Sequence, residues 1–186
     1  MLSKNKSNQF KYLIIIILLI GTLLRIYNLS SESIWIDEIT SIESSSLSFI
    51  DIVNPAYSLS SEYANPPFYA LFLKYWIKLF GNNEIALRIP SAIFGATSVL
   101  LVYFLASLLF NRKVALLSAL ILSINPFHIY LSQQARMYSL FVLFSLLSLF
   151  YFFKLLKENK KIDWFSYFFF SLLNLYTHYF AIFVLF

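Results

Sequence analysis

Hydrophobic positions in this chain fall in long continuous runs, without the strict alternation of a half-buried strand. Five runs read as membrane-spanning helices: about Phe10 to Tyr27, Ile89 to Phe110, Val114 to Leu131, Met137 to Phe153 and Trp164 to Phe186. Their lengths lie near the roughly 20 residues that a helix needs to cross a hydrocarbon core about 30 Å thick. Continuous runs exclude a transmembrane barrel, whose strands alternate. A further stretch, Pro67 to Phe80, is different. As a helix it reaches only about 21 Å, Lys74 and Lys78 share one face at i, i+4, and Pro66-Pro67 suits a helix start. This predicts a helix lying in the membrane interface over about 67–80. Between the first run and this helix, from Asn28 to Asn65, the chain is polar, rich in serine, and carries Glu32, Asp37, Glu38, Glu43, Asp51 and Glu62. That is too long for a plain connector, and long loops often hold functional residues.

Composition sharpens the class. Hydrophobic residues make up 60% of the 186 positions and charged residues 12%, and mean hydropathy is +0.73. A soluble globular domain, a disordered tail and a coiled coil are excluded. The expectation is an all-α polytopic membrane protein, with about five transmembrane helices over 1–186 and an outer loop over 28–88 that includes juxtamembrane helices. The net charge of +5 would suggest a nucleic-acid partner in a soluble protein. Here the basic residues sit at the ends of apolar runs, as topology signals do, and no nucleic acid is expected. The chain has no cysteine, which excludes disulfides, thiolate metal sites and a cysteine nucleophile.

Charge also sets the orientation. The basic start could belong to a signal peptide, but no small-residue cleavage site follows the first run, so it reads as an uncleaved span with Arg25 snorkelling at its far end. If Pro67–Phe80 is interfacial, Lys4, Lys6, Lys11, Arg112, Lys113, Lys154, Lys157, Lys160 and Lys161 share the cytoplasmic side, nine of the 14 basic residues. If that segment spans, the two basic loops move outside and the positive-inside rule fails. The first arrangement places the N-terminus in the cytoplasm. It puts Asp37, Glu38, Arg88 and the segment Gln133 to Tyr138 on the extracytoplasmic side, with His178 approaching the same face. Each of these residues has an ordinary reading as well. Asp37-Glu38 reads as simple loop charge, Arg88 as a helix-start contact with headgroups, and Arg136 as a snorkelling boundary arginine. His128 and His178 read as hydrogen-bonded bundle residues, although intramembrane polar groups raise a functional hypothesis by default.

The order of short blocks is more specific than any one of them. Arg25-Ile-Tyr-Asn-Leu, Trp35-Ile-Asp37-Glu38 and Asn65-Pro-Pro-Phe-Tyr come first. Ala86-Leu-Arg88-Ile-Pro90-Ser91-Ala-Ile-Phe-Gly95 and Asn125-Pro-Phe-His128-Ile-Tyr-Leu-Ser-Gln-Gln-Ala-Arg136-Met-Tyr138-Ser follow, then a weaker block, Thr177-His178-Tyr179. In order and spacing, along nearly the whole chain, they resemble the N-terminal part of GT-C polytopic glycosyltransferases. The superfamily is that of protein O-mannosyltransferases and aminoarabinose transferases (glycosyltransferase family 39-like).

The resemblance implies a cell-membrane enzyme of the envelope that moves a sugar from a polyprenyl-phosphate donor to an acceptor hydroxyl, on a lipid, glycan or protein, at the extracytoplasmic face. Asp37 matches the family's catalytic position, where a carboxylate accepts the acceptor's proton, and Glu38 beside it orients or hydrogen-bonds. Arg88 and Arg136 are candidates to bind the departing lipid phosphate, and Lys74 and Lys78 to attract its headgroup. Tyr138 and His178 complete the candidate substrate-binding set. Direct displacement would invert the sugar carbon. Some relatives carry a second carboxylate near Tyr138; its absence here argues against a two-carboxylate metal site, and no cofactor is expected. Rival readings are a transporter or flippase for a lipid or small solute, which would leave the Asp37-Glu38 loop unexplained and lacks repeat evidence, and a non-catalytic fragment. The last run, Phe180 to Phe186, has no basic or tryptophan flank to close it. This predicts further spans downstream and little transferase activity from 1–186 alone.

Overall fold

The computed structural model describes residues 2–54 and 65–185; the part of the acidic loop that holds Glu62, and Phe186, lie outside them. Among the described residues the chain is helical with turns and no strands. Helix α1 covers Leu2–Ile26, α2 Ile36–Ser46, α3 Phe49–Val53, α4 Pro67–Phe80, α5 Glu84–Leu109, α6 Arg112–Ile124, α7 Pro126–Ser132, α8 Tyr138–Glu158 and α9 Lys161–Leu175. A 3₁₀ turn at Tyr179–Ala181 leads into the short α10, Ile182–Leu185.

Local chemistry places the boundaries. Proline starts α4, and Gly81, at φ 86, ends it in a conformation that a side chain resists. Asn83 caps α5 by accepting from the Ala86 N–H, and Asn111 caps α6 by accepting from Lys113 and Val114. Asn125 closes α6 and its side chain accepts from the His128 N–H to open α7, which has Pro126 in its first turn. The two helices meet at 61°. Asn159, at φ 48, turns α8 back toward α9.

Helix α5 is central, with α1, α6 and α7 on one side and α8 on the other, and α9 packs on α8. Its buried face is mostly small: Ser91, Ala92, Gly95, Ser98 and Ala106 among others. Ala115, Ala119 and Ser123 of α6 and Ser139, Ser145 and Ser148 of α8 answer it. Small residues suit a lipid setting, where helices associate through close packing rather than hydrophobic exclusion. Phe165, Phe168 and Leu172 of α9, by contrast, are exposed, as lipid-facing positions are.

The count of spans is lower than the hydrophobic runs suggest. Three described helices are long and apolar enough to cross a membrane, Gln9–Ile26 within α1, α5 and α8, and α6 with α7 adds a fourth if the bent pair is one span. The fifth run does not continue as a helix. Helix α9 stops after 15 residues, about 22 Å against a core of about 30 Å. Polar groups inside the run mark the stop. The Asn174 Nδ2 donates to Ser145 Oγ, Thr177 Oγ1 donates to the Leu173 carbonyl, and His178 Nδ1 accepts from Phe180 N–H to begin a new turn.

Arg25 also differs from expectation. It does not snorkel; it is fully buried. Its Nη1 donates to the carbonyls of Gly21 (2.7 Å) and Ser123 (3.0 Å), and its Nη2 to the Leu122 carbonyl and His128 Nδ1. The break at Asn125-Pro126 leaves the last carbonyls of α6 under-used, Leu122 accepting only the long Asn125 N–H bond of 3.4 Å, and this negative end of the helix dipole receives the cation. Gly21 and Gly95 leave the room: Cβ atoms there would lie 3.3 Å from Arg25 Nη1 and 3.0 Å from its Nε.

Helices α1 and α7 end, and α5 and α8 begin, at one end of the bundle, so the excursion from residue 27 to 83 leaves and returns there. Helix α4 packs along α2 and α3, and Trp76 Nε1 donates to the Ala86 carbonyl at the start of α5. At the opposite end Lys154 pairs with the buried Asp163 at 2.9 Å, and Lys157 donates to the Leu108 carbonyl.

Candidate active site

The site grows from the first turn of α2. Trp35 enters it in an extended conformation (φ −99°, ψ 170°), and its N–H donates to Glu38 Oε2. Successive helical residues diverge by about 100°, so Asp37 and Glu38 face different surroundings. Glu38 is 1% exposed, whereas Asp37 is half-buried.

Glu38 takes three further donors. Its Oε1 accepts from Arg88 Nε (2.9 Å) and from the Ala135 N–H (2.8 Å), and its Oε2 from Arg88 Nη2 (2.7 Å). Arg88 gives its remaining N–H groups to the loop after α1: Nη1 to the carbonyls of Leu29 and Glu32, Nη2 to that of Ser33. All five donors of the guanidinium are therefore used within the protein. Burial by itself raises the Glu38 carboxyl pKa, and the Arg88 and Ala135 hydrogen bonds outweigh it, leaving it below the ordinary carboxylate value. Placing Arg88 at the lipid phosphate, as its sequence position suggested, would break this shell. The geometry makes Glu38–Arg88 a clamp joining α2, α5, the segment before α8 and the turn after α1.

The other charged residues gather on another side of α2. Arg136 is 8% exposed, and its Nη1 donates to the Asp37 carbonyl at 2.7 Å and Ser41 Oγ at 3.1 Å. Its Nε is buried without a partner, and its Nη2 makes no hydrogen bond among the described residues. The Asp37 carboxylate is likewise without a hydrogen bond among them. Tyr138 places its ring 5.6 Å from the Arg136 guanidinium, and His178 stands 5.9 Å from Tyr138, ring to ring. The Asp37 backbone, Arg136, Tyr138 and His178 thus form one constellation.

Two participants were not singled out in the sequence. Ser41, one turn after Asp37, anchors Arg136. Tyr69 of α4 is 4% exposed and lines with Arg136 a cleft of about 30 Å³, room for about one water. The i, i+4 step from Asp37 to Ser41 and the aromatic just after Pro66-Pro67 were the available signals. Lys74 lies apart: its Nζ donates to the Ser45 and Leu47 carbonyls at the end of α2, with Lys78 exposed one turn further on. Neither joins the Arg136 group. Among the described residues no three His, Asp or Glu side chains converge as a metal site requires.

Compared with known protein families, residues 64–186, about two thirds of the chain, match the one described as dolichyl-phosphate-mannose-protein mannosyltransferase. No curated protein and no solved structure matches.

Proposed function

Since the chain belongs to the dolichyl-phosphate-mannose-protein mannosyltransferase family, we propose that it transfers a sugar from a polyprenyl-phosphate donor to an acceptor hydroxyl at the extracytoplasmic face, with inversion. The acceptor hydroxyl belongs to a lipid, glycan or protein. The single observation that carries the site assignment is Arg136. One of its nitrogens fixes the Asp37 backbone, while Nε, buried, and Nη2 have no partner among the described residues.

In this reading the acceptor oxygen attacks the anomeric carbon as the bond from that carbon to the phosphate oxygen breaks. The bonding pair leaves with the phosphate, and Asp37 takes the acceptor's proton. The unclaimed N–H groups of Arg136 meet the charge growing on the phosphate, so a divalent cation is not invoked. Tyr138 and His178 flank that anion, and the Glu38–Arg88 clamp holds Asp37 in register with it. The orientation rests on the basic loops, which the positive-inside rule assigns to the cytoplasm.

The test is transfer from polyprenyl-phosphate mannose in membranes. Asp37→Asn keeps the shape and removes the base, and turnover should fall by about 10²–10⁴-fold. Arg136→Lys keeps a charge but loses the planar donor set, and should weaken use of the donor. Unchanged turnover by Asp37→Asn at normal expression would overturn the assignment.

A further inference from the structure

On the far side of the Glu38–Arg88 clamp lies a larger cavity that the transfer chemistry leaves unused. Its volume is about 470 Å³, within the roughly 300–1,000 Å³ of small-molecule sites. Asp37 and Arg136 do not line it. Aromatic rings from three elements do: Tyr27 after α1, Trp35 at the start of α2 and Tyr130 of α7, all substantially exposed. Gln133, Gln134 and Glu32 supply the polar wall.

Gln134 is the telling member. It is only 6% exposed, lines the cavity, and its side-chain amide makes no hydrogen bond among the described residues. The amide atoms are not sealed off from solvent; they open on the cavity, where a ligand's hydroxyls can replace water as their partners. The neighbouring walls are held in place. Gln133 Nε2 donates to the carbonyls of Leu24 and Tyr27, and Arg88 fastens the turn carrying Leu29, Glu32 and Ser33.

The lining selects a ligand class. The cation at its edge, Arg88, has spent every donor on the protein, and Glu32 adds negative charge, so an anionic group such as phosphate is disfavoured. A wholly apolar tail would strand the Gln134 amide. A neutral, hydroxyl-rich ring with apolar faces satisfies both requirements: hydroxyls for the amide and carboxylate groups, C–H faces for the aromatic rings. We infer that this cavity is a saccharide-binding site, separate from the Asp37–Arg136 constellation. The inference rests on the transferase reading only for where the saccharide comes from, the donor's sugar or a glycan acceptor.

The full chain in lipid nanodiscs can be examined by saturation-transfer NMR against methyl mannoside, methyl glucoside, N-acetylglucosamine and their disaccharides. At least one should receive saturation, and Gln134→Leu or Tyr130→Ala should weaken it at least fivefold. Tyr130 is exposed, so its variant serves even if Gln134→Leu fails to fold. Lys113→Ala, exposed at the other end of the bundle, should leave the signal unchanged. Displacement by polyprenyl-phosphate mannose would identify the donor's sugar as the occupant, and saccharide binding that persists beside it would identify an acceptor glycan. Absence of saturation for the whole panel, binding indifferent to both variants, or displacement by inorganic phosphate would overturn the inference. Each of those results leaves the Asp37→Asn transfer assay to stand or fall alone.

Discussion

Replacing Glu38 by Gln tests whether the clamp organises the site. Three N–H groups from Arg88 and Ala135 converge on the two Glu38 oxygens, with Trp35 N–H more distant. A carboxamide turns one oxygen into a donor that opposes them and leaves the buried Arg88 without its counter-charge. Breaking one side of a buried ion pair costs about 3–5 kcal/mol. At about 2–4 °C per kcal/mol for a chain of this size, the melting temperature should fall by about 6–20 °C. Thermal unfolding of purified protein in one detergent measures this directly. In a cycle with Arg88→Met, the double variant should lose less than the sum of the singles. The pH dependence has a definite sign. The folded Glu38 pKa lies below the reference value of 4.5. Its stabilisation is therefore complete above about pH 4.5 and is lost as pH falls through the lowered folded value. Glu38→Gln should flatten that acid limb. A melting temperature within about 2 °C of wild type, or full additivity in the double variant, would refute the clamp.

Gly95→Ala should destabilise the bundle by about 1–3 kcal/mol, because the added Cβ would lie 2.1 Å from Ser132 Oγ and 2.7 Å from Ser132 Cβ. Ser132→Gly should restore much of the loss in the same unfolding assay. Orientation is tested by single cysteines in intact cells: an impermeant thiol reagent should label Glu32→Cys and spare Lys113→Cys and Lys160→Cys, and the reverse would invert the topology. Asp163→Asn should lower the melting temperature more than Glu158→Gln. Asp163 is buried against Lys154, whereas Glu158 pairs with Lys160 on the surface, where such pairs contribute about 0–1 kcal/mol.

Much of the helical arrangement was legible in the residues, because long apolar runs report the helices they form. Asp37 and Arg136, far apart in sequence, were assigned to one face by topology alone, and they touch. What could not be read was how the cations would be used. Arg88 and Arg136 look alike in sequence, each near a helix start. Only folding shows that carbonyls of a seemingly plain turn, Leu29 to Ser33, saturate one and not the other. Arg25 was misplaced for a related reason: hydropathy treats α6 and α7 as one continuous run, whereas the backbone break at Asn125-Pro126 creates acceptors for a cation. In the same way, α9 stops among polar groups, Asn174, Thr177 and the capping His178, that a hydropathy average conceals.

The burial of Arg25 carries a consequence for how the protein is assembled. The carbonyls and imidazole that receive it lie about a hundred residues downstream, so they do not exist when α1 first enters the bilayer. At that stage an arginine near a helix end has only the interface to satisfy it. A snorkelled Arg25 in the nascent chain, giving way to the buried one of the finished bundle, would follow. Arg25 would cross from lipid headgroups to protein only when the kinked hairpin partner arrives. A chain arrested before residue 111 should accordingly hold α1 displaced toward the interface, measurable as a longer reach of Ile26→Cys into water than in the complete protein. The kink between α6 and α7 would then act as a checkpoint in membrane insertion, admitting a charge that the first helix cannot bury by itself.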